Sequence, residues 1–235
     1  MAKDDRRLPT EPKRTEVEEF LRQIAVAPVT ARSGAMGRLI FALDATASRQ
    51  PTWDRASHIQ AEMFAETAAL GGLAIQMCYF RGFAEFHATP WLTDGGELIR
   101  LMTAVTCLSG TTQIARVLRH AVAETGRTRV NALVYVGDAM EESAETLAEL
   151  AGRLGLLGVP AFMFQEGDEP VARRSYQQIA QVTSGAYMSF DAASAKALRD
   201  LLTAVAVYVA GGRKVLADYA NHAGGDVLRL TRQLR

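Results

Sequence analysis

The run Asp44-Ala45-Thr46-Ala47-Ser48 sets one carboxylate and two hydroxyls at alternate positions, directly after the apolar stretch Leu39-Ile40-Phe41-Ala42-Leu43. Oxygen donors of this hardness suit Mg²⁺, a small cation that keeps several of its waters. An apolar run of this length reads as a buried strand, so the polar tail falls where the strand opens into a loop. The same residues also suit a capped turn, in which Asp44 and Ser48 bond backbone amides.

Two later stretches are candidates to complete a site. Ser109-Gly110-Thr111-Thr112-Gln113-Ile114 is a small-residue turn leading into a helix; Thr112, or its neighbour Thr111, is either a ligand or an N-cap. Leu133-Val134-Tyr135-Val136-Gly137-Asp138 is a second buried strand ending in an acid. Leu92-Thr93-Asp94-Gly95-Gly96-Glu97 also offers an acid, but no buried strand precedes it. Its expected role is at a helix start, with Thr93 or Asp94 as cap.

The elements that must position these residues follow from periodicity and breakers. Strands are expected at Arg38–Leu43, Leu73–Phe80, Phe83–Ala88, Val130–Val136, Val159–Phe164 and Tyr187–Phe190. Gly82 joins the second and third so tightly that they should be antiparallel. Helices are expected from Thr15 through Ala25, from Pro51 through Leu70, and between Trp91 and Leu108. Further helices are expected over Thr112–Thr125, Glu142–Leu154, Val171–Thr183 and Ala192–Val209. The alternation predicts an α/β three-layer sandwich with a mostly parallel central sheet, one antiparallel edge strand and helices on both faces. Ligands in such folds collect at the carboxyl ends of the strands, where both Asp44 and Asp138 fall. The expected organisation is a disordered tail over 1–14, an N-terminal helix and linker over 15–37, the domain over 38–210 and a helical tail over 211–235.

Composition narrows the function classes. The 235 residues are 49% hydrophobic, ample for a core, and 26 basic residues balance 26 acidic ones. That balance gives no electrostatic case for nucleic acid. The longest late apolar run, Leu201 to Ala210, is far short of the ~20 residues of a membrane span. Cys78 and Cys107 sit in apolar sequence and read as buried free thiols, which fits a reducing cytoplasm. The four histidines have no zinc-ligand spacing, neither cysteine has the setting of a nucleophile, and there is no Gly-rich phosphate loop after a strand. Trp53 and Trp91 fall near the expected site edge, as exposed anchors or as core.

The D-x-T-x-S run of Asp44, Thr46 and Ser48 closely resembles the D-x-S-x-S motif that opens the metal-ion-dependent adhesion site of von Willebrand factor A (vWA) domains. The Thr112 segment is similar to the family's G-G-T-x-I-x-x-A-L stretch, and the Asp138 strand to its T-D-G strand. Here Gly137 and Ala139 replace the flanking Thr and Gly. Ile179 to Phe190 resembles the stretch before the family's last strand, so the likeness runs from about Arg38 to Val209. The resemblance implies a bacterial-type, stand-alone, Rossmann-like vWA domain. Its implied metal ligands are Asp44, Thr46, Ser48, Thr112 and Asp138. Their ion would be Mg²⁺ (or Mn²⁺ or Ca²⁺), with no catalysis.

The implied partner is a protein presenting an Asp or Glu carboxylate, by family analogy an AAA+ ATPase or its client complex. Two other readings stay open. One is a metal-dependent phosphohydrolase with Asp44 as nucleophile, although that chemistry wants an acid where Thr46 stands. The other is a metal-free vWA scaffold.

Overall fold

The computed structural model describes residues 19–20, 22–24, 26, 36–50, 73–190 and 203–209. The expected segments over 1–14 and 211–235, and the helix from Pro51 through Leu70 with Trp53 and His58, lie outside the described residues. So does most of the expected helix over Ala192–Val209, of which residues 203–209 are helical and buried.

Six strands form one sheet. They are β1 (Gly37–Asp44), β2 (Leu73–Arg81), β3 (Glu85–Ala88), β4 (Ala132–Gly137), β5 (Ala161–Glu166) and β6 (Ala186–Phe190), in the spatial order β3-β2-β1-β4-β5-β6. All neighbours are parallel except the β2–β3 hairpin. Four described helices lie between strands: α1 (Gly95–Thr103), α2 (Ile114–Arg127), α3 (Ala144–Leu156) and α4 (Pro170–Val182). Every expected strand and helix within the described residues is present, with ends displaced by a few residues, the usual uncertainty of element boundaries.

Period-two alternation divides the core into two layers. Leu39, Phe41 and Leu43 of β1 join Val134, Val136, Phe162, Phe164, Leu98 and Met102 on one face, together with Phe20, Ile24 and residues 204–209. Ile40 and Ala42 join Cys78, Phe80, Leu133, Tyr135 and Met163 on the other, covered by α2, α3 and α4. Both cysteines are buried free thiols. β1 is buried along nearly its whole length, as expected of a central strand with helices on both sides.

The chain leaves β1 toward β2 on one side and returns to β4 on the other, so the carboxyl ends of β1 and β4 flank the switch point where crevices open in doubly wound sheets. Asp44 is the last residue of β1, and Asp138 is the first residue past β4.

Trp91 lies at the opposite edge, which corrects its expected position near the site. Its indole N–H donates to Glu124 in the last turn of α2 at 2.9 Å, and the guanidinium of Arg38, near the start of β1, stacks 3.8 Å from its ring centre. It is half-buried against the second layer, so its role is packing with one satisfied polar end.

Candidate metal site at the sheet switch point

Asp44 is completely buried. One carboxylate oxygen, Oδ1, accepts the Thr46 N–H at 2.8 Å and forms the capped turn that its residue type favours. The other, Oδ2, is buried without a hydrogen-bond partner. Thr46 keeps an extended backbone and bridges to Leu108, and a short 3₁₀ turn follows over Ala47–Arg49. The hydroxyls of Thr46 and Ser48 therefore remain on one side, 3.1 Å apart, the first buried and the second exposed. Burial pushes the Asp44 carboxyl up to about 6. The Thr46 hydrogen bonds and the Arg49 charge oppose that shift, and the Asp138 charge adds to it.

Asp138 is half-buried, and its Oδ1 is likewise buried without a hydrogen-bond partner. The loop that carries it is tied down by the Tyr176 hydroxyl, which donates to the Ala139 carbonyl at 2.7 Å. Gly137 stands where the resemblance has Thr because the ring of Tyr135 fills the space beside it: a Cβ there would lie 2.5 Å from the Tyr135 hydroxyl.

Thr112 is buried and is not an N-cap. Its Oγ1 accepts the Glu141 N–H, and its own N–H donates to a Glu141 carboxylate oxygen, both at 3.1 Å. The residue before α2 is Gln113, which makes no side-chain cap. The cap comes from another loop: the Glu142 carboxylate accepts the N–H groups of Ile114 and Ala115, the latter at 2.9 Å. A carboxylate is well placed at a helix N-terminus, where donors are unsatisfied and the dipole is positive. Its own pKa is raised, since burial outweighs the bonds from Ala115 and Ile114.

The Thr112 loop is thus joined to the loop after Asp138 by two consecutive glutamates. On the other side it rests on the β2–β3 turn, where Thr111 N–H donates to the Gly82 carbonyl at 3.2 Å. Gly110 packs so closely on Gly82 that a Cβ there would strike the Gly82 carbonyl. Thr111 is exposed. We expect Glu142→Ala to destabilise the fold by about 1–3 kcal/mol, because it strands two buried donors; urea unfolding against the wild type checks this, and an unchanged midpoint would mean that water replaces the carboxylate.

Asp94 caps α1, its Oδ1 accepting the Glu97 N–H at 2.7 Å, so the acid that precedes a helix serves that helix.

Sequence reasoning passed over Arg49 and Glu166. Arg49 is buried, with an exposure of 1%. Its Nη1 donates to the Asp44 carbonyl at 2.8 Å, and its Nε donates to Glu166 Oε2, at the end of β5, at 3.0 Å. Its position next to Ser48 was the one available signal, since a charged residue beside a buried strand end must either leave or find partners.

The residues present fit a divalent cation. Two buried carboxylate oxygens lack hydrogen-bond partners, their charges act on one another, and neutral hydroxyls stand beside the first. Among the described residues no three His, Cys, Asp or Glu side chains gather into a metal-holding group, so a ligand set here draws on Ser and Thr oxygens. No described helix is long and apolar enough to cross a membrane.

No protein-family model matches the sequence, and no curated protein matches it. Solved structures do match. The VWA domain of SpRpn10 is 12% identical with a TM-score of 0.58, over 72% of this chain and 94% of that one. An aerotolerance-related membrane protein from Bacteroides fragilis NCTC 9343, solved with multiple mutations to serines, is 14% identical with a TM-score of 0.54, over 69% of this chain and 95% of that one. A von Willebrand factor type A protein from Catenulispora acidiphila is 16% identical with a TM-score of 0.56, over 74% of this chain but only 43% of that one. The chain has the fold of vWA domains, a Rossmann-like α/β sandwich.

Proposed function

We propose that this chain is a divalent-metal-dependent protein interaction module of the vWA type. The observation that carries this reading is the pair of buried carboxylate oxygens without hydrogen-bond partners, one on Asp44 and one on Asp138, at the switch point of the sheet. Buried acceptors are normally satisfied, and an unsatisfied pair at the switch point of a sheet calls for a ligand.

In this proposal Asp44, Thr46, Ser48, Thr112 and Asp138 hold Mg²⁺, with Mn²⁺ or Ca²⁺ as substitutes. A bound ion supplies an electrophilic position for an Asp or Glu carboxylate of a partner protein. The three hydroxyl ligands add no negative charge to that of the two aspartates, so the ion stays electrophilic toward a further carboxylate. Thr112 Oγ1 accepts the Glu141 N–H and its hydroxyl bonds the Glu142 carboxylate, which leaves one lone pair for the site. The module binds and does not catalyse, and the proposed setting is the cytoplasm. The partner we favour is an AAA+ ATPase or the complex it serves.

The test is calorimetric and thermal titration with Mg²⁺ and Mn²⁺, followed by capture of partners from native lysate with and without the cation, with Ser48→Ala as control. We expect a saturable thermal upshift that Asp44→Ala abolishes, and cation-dependent capture that Ser48→Ala weakens. Heat and shift absent from the wild type would sink the metal reading. Turnover of a generic phosphate ester that is lost in Asp44→Ala would replace it with a phosphohydrolase.

One observation favours a second reading, a metal-free scaffold: Arg49 already places a cation within electrostatic reach of Asp44.

A further inference from the structure

Arg49 is an unusual neighbour for a cation site. Its guanidinium is buried beneath the ligand run, and it belongs to the same turn as Ser48. It fixes the carbonyl of Asp44 at 2.8 Å and joins β1 to the end of β5 through Glu166 at 3.0 Å. A divalent ion held by Asp44 and Asp138 would therefore sit within range of a fixed positive charge. Between groups as buried as Asp44 and Arg49 that repulsion is screened far less than at the surface. Glu166, with a side-chain exposure of 12%, partly cancels it. Arg and Lys differ here: only the planar fork of Arg can span a carbonyl and a carboxylate at once, whereas either can supply the charge.

We propose that Arg49 is a resident cation of the site, whose charge sets the affinity for the divalent ion, with Glu166 as the opposing weight. The proposal deepens the metal-site reading and rests on it. Its consequence is a site of modest intrinsic affinity, one that fills fully when a partner carboxylate brings further negative charge.

The experiment is calorimetric titration of the full chain with Mg²⁺ and with Mn²⁺ alone, on the wild type and on Arg49→Gln, Arg49→Lys and Glu166→Gln, with folding checked by circular dichroism. Removing the positive charge in Arg49→Gln is expected to tighten binding roughly tenfold, and removing the opposing charge in Glu166→Gln to weaken it by a similar factor. Arg49→Lys is expected to stay near the wild type. A structural strut predicts a different pattern, with Arg49→Gln and Arg49→Lys both weakening binding; that result, or no change in Arg49→Gln, overturns the proposal. Should Arg49→Gln fail to fold, the contrast between Arg49→Lys and Glu166→Gln carries the test: Arg49→Lys weakened as much as Glu166→Gln overturns it. A silent wild type, even beside a binding Arg49→Gln, removes the metal site from the native chain and overturns both readings. Silence in every variant overturns both this proposal and the metal site, whereas a responsive wild type with the strut pattern overturns this one alone.

Discussion

Asp44→Asn is expected to raise the stability of the metal-free protein at pH 8 and to abolish its response to Mg²⁺. The buried carboxyl has its pKa pushed from 3.8 up to about 6, chiefly by burial. In the window between those values the folded state holds a proton that the unfolded state has released. The stability linked to this group is thus fully present below pH 3.8 and is lost as pH rises through about 6. A shift of this size corresponds to about 3 kcal/mol at neutral pH.

The amide of Asn keeps an oxygen for the Thr46 N–H and carries no charge, at the cost of a new buried N–H₂ that needs a partner. The net gain should be about 1–3 kcal/mol, or several degrees in Tm. Thermal unfolding in EDTA from pH 4 to pH 8 measures it. The wild type should lose stability relative to Asp44→Asn as pH rises, and saturating Mg²⁺ should remove that loss, since a cation replaces the proton. If Asp44→Asn is the less stable protein at pH 8 in EDTA, the buried charge is compensated by its neighbours and the case for a metal weakens.

The second large effect concerns the position where the sequence departs furthest from the vWA pattern. Gly137→Thr restores the family residue and should destabilise the fold by about 1–3 kcal/mol or more. A Cβ at this position would lie 2.5 Å from the Tyr135 hydroxyl and 2.9 Å from two ring carbons. The ring cannot swing away: Tyr135 is completely buried, stacked against Phe80 and edge-on to Tyr176 with centroids 5.3 Å apart. Combining Gly137→Thr with Tyr135→Leu should recover part of the loss, a coupling of about 1 kcal/mol or more that marks two residues sharing one space. Additive losses would show that the ring and the new side chain do not compete. Either way the substitution separates a packing reason for Gly137 from any need of the site for a glycine.

That departure shows where sequence reading reached its limit. Gly137 is visible in the sequence as a mismatch beside Asp138. The ring packed edge-on against Tyr135 is that of Tyr176, 41 positions away on α4. Sequence puts Thr112 at the start of a helix, as a ligand or an N-cap, whereas the helix begins at Ile114, the partner of Thr112 is Glu141, 29 positions on, and the cap comes from Glu142. Trp91 was placed at the wrong edge, because an aromatic after a hairpin carries no sign of which end of the sheet it will meet.

The sequence by itself determined the elements and their order. Apolar runs of strand length, helical spacing and Gly or Pro breakers are local signals, and their alternation leaves few ways to layer a sheet. It also determined that Asp44 and Asp138 stand at the carboxyl ends of two parallel strands, because a parallel sheet sends every such end to the same edge. Only the tertiary structure decided how each polar atom is used. It gave one oxygen of Asp44 to a turn and left the other without a hydrogen bond. It buried Arg49 against Glu166, 117 positions away, and so put a cation beside the proposed metal ligands. Periodicity records which face of an element is buried; it does not record which distant group arrives there, and the balance of charge at this site depends on those arrivals.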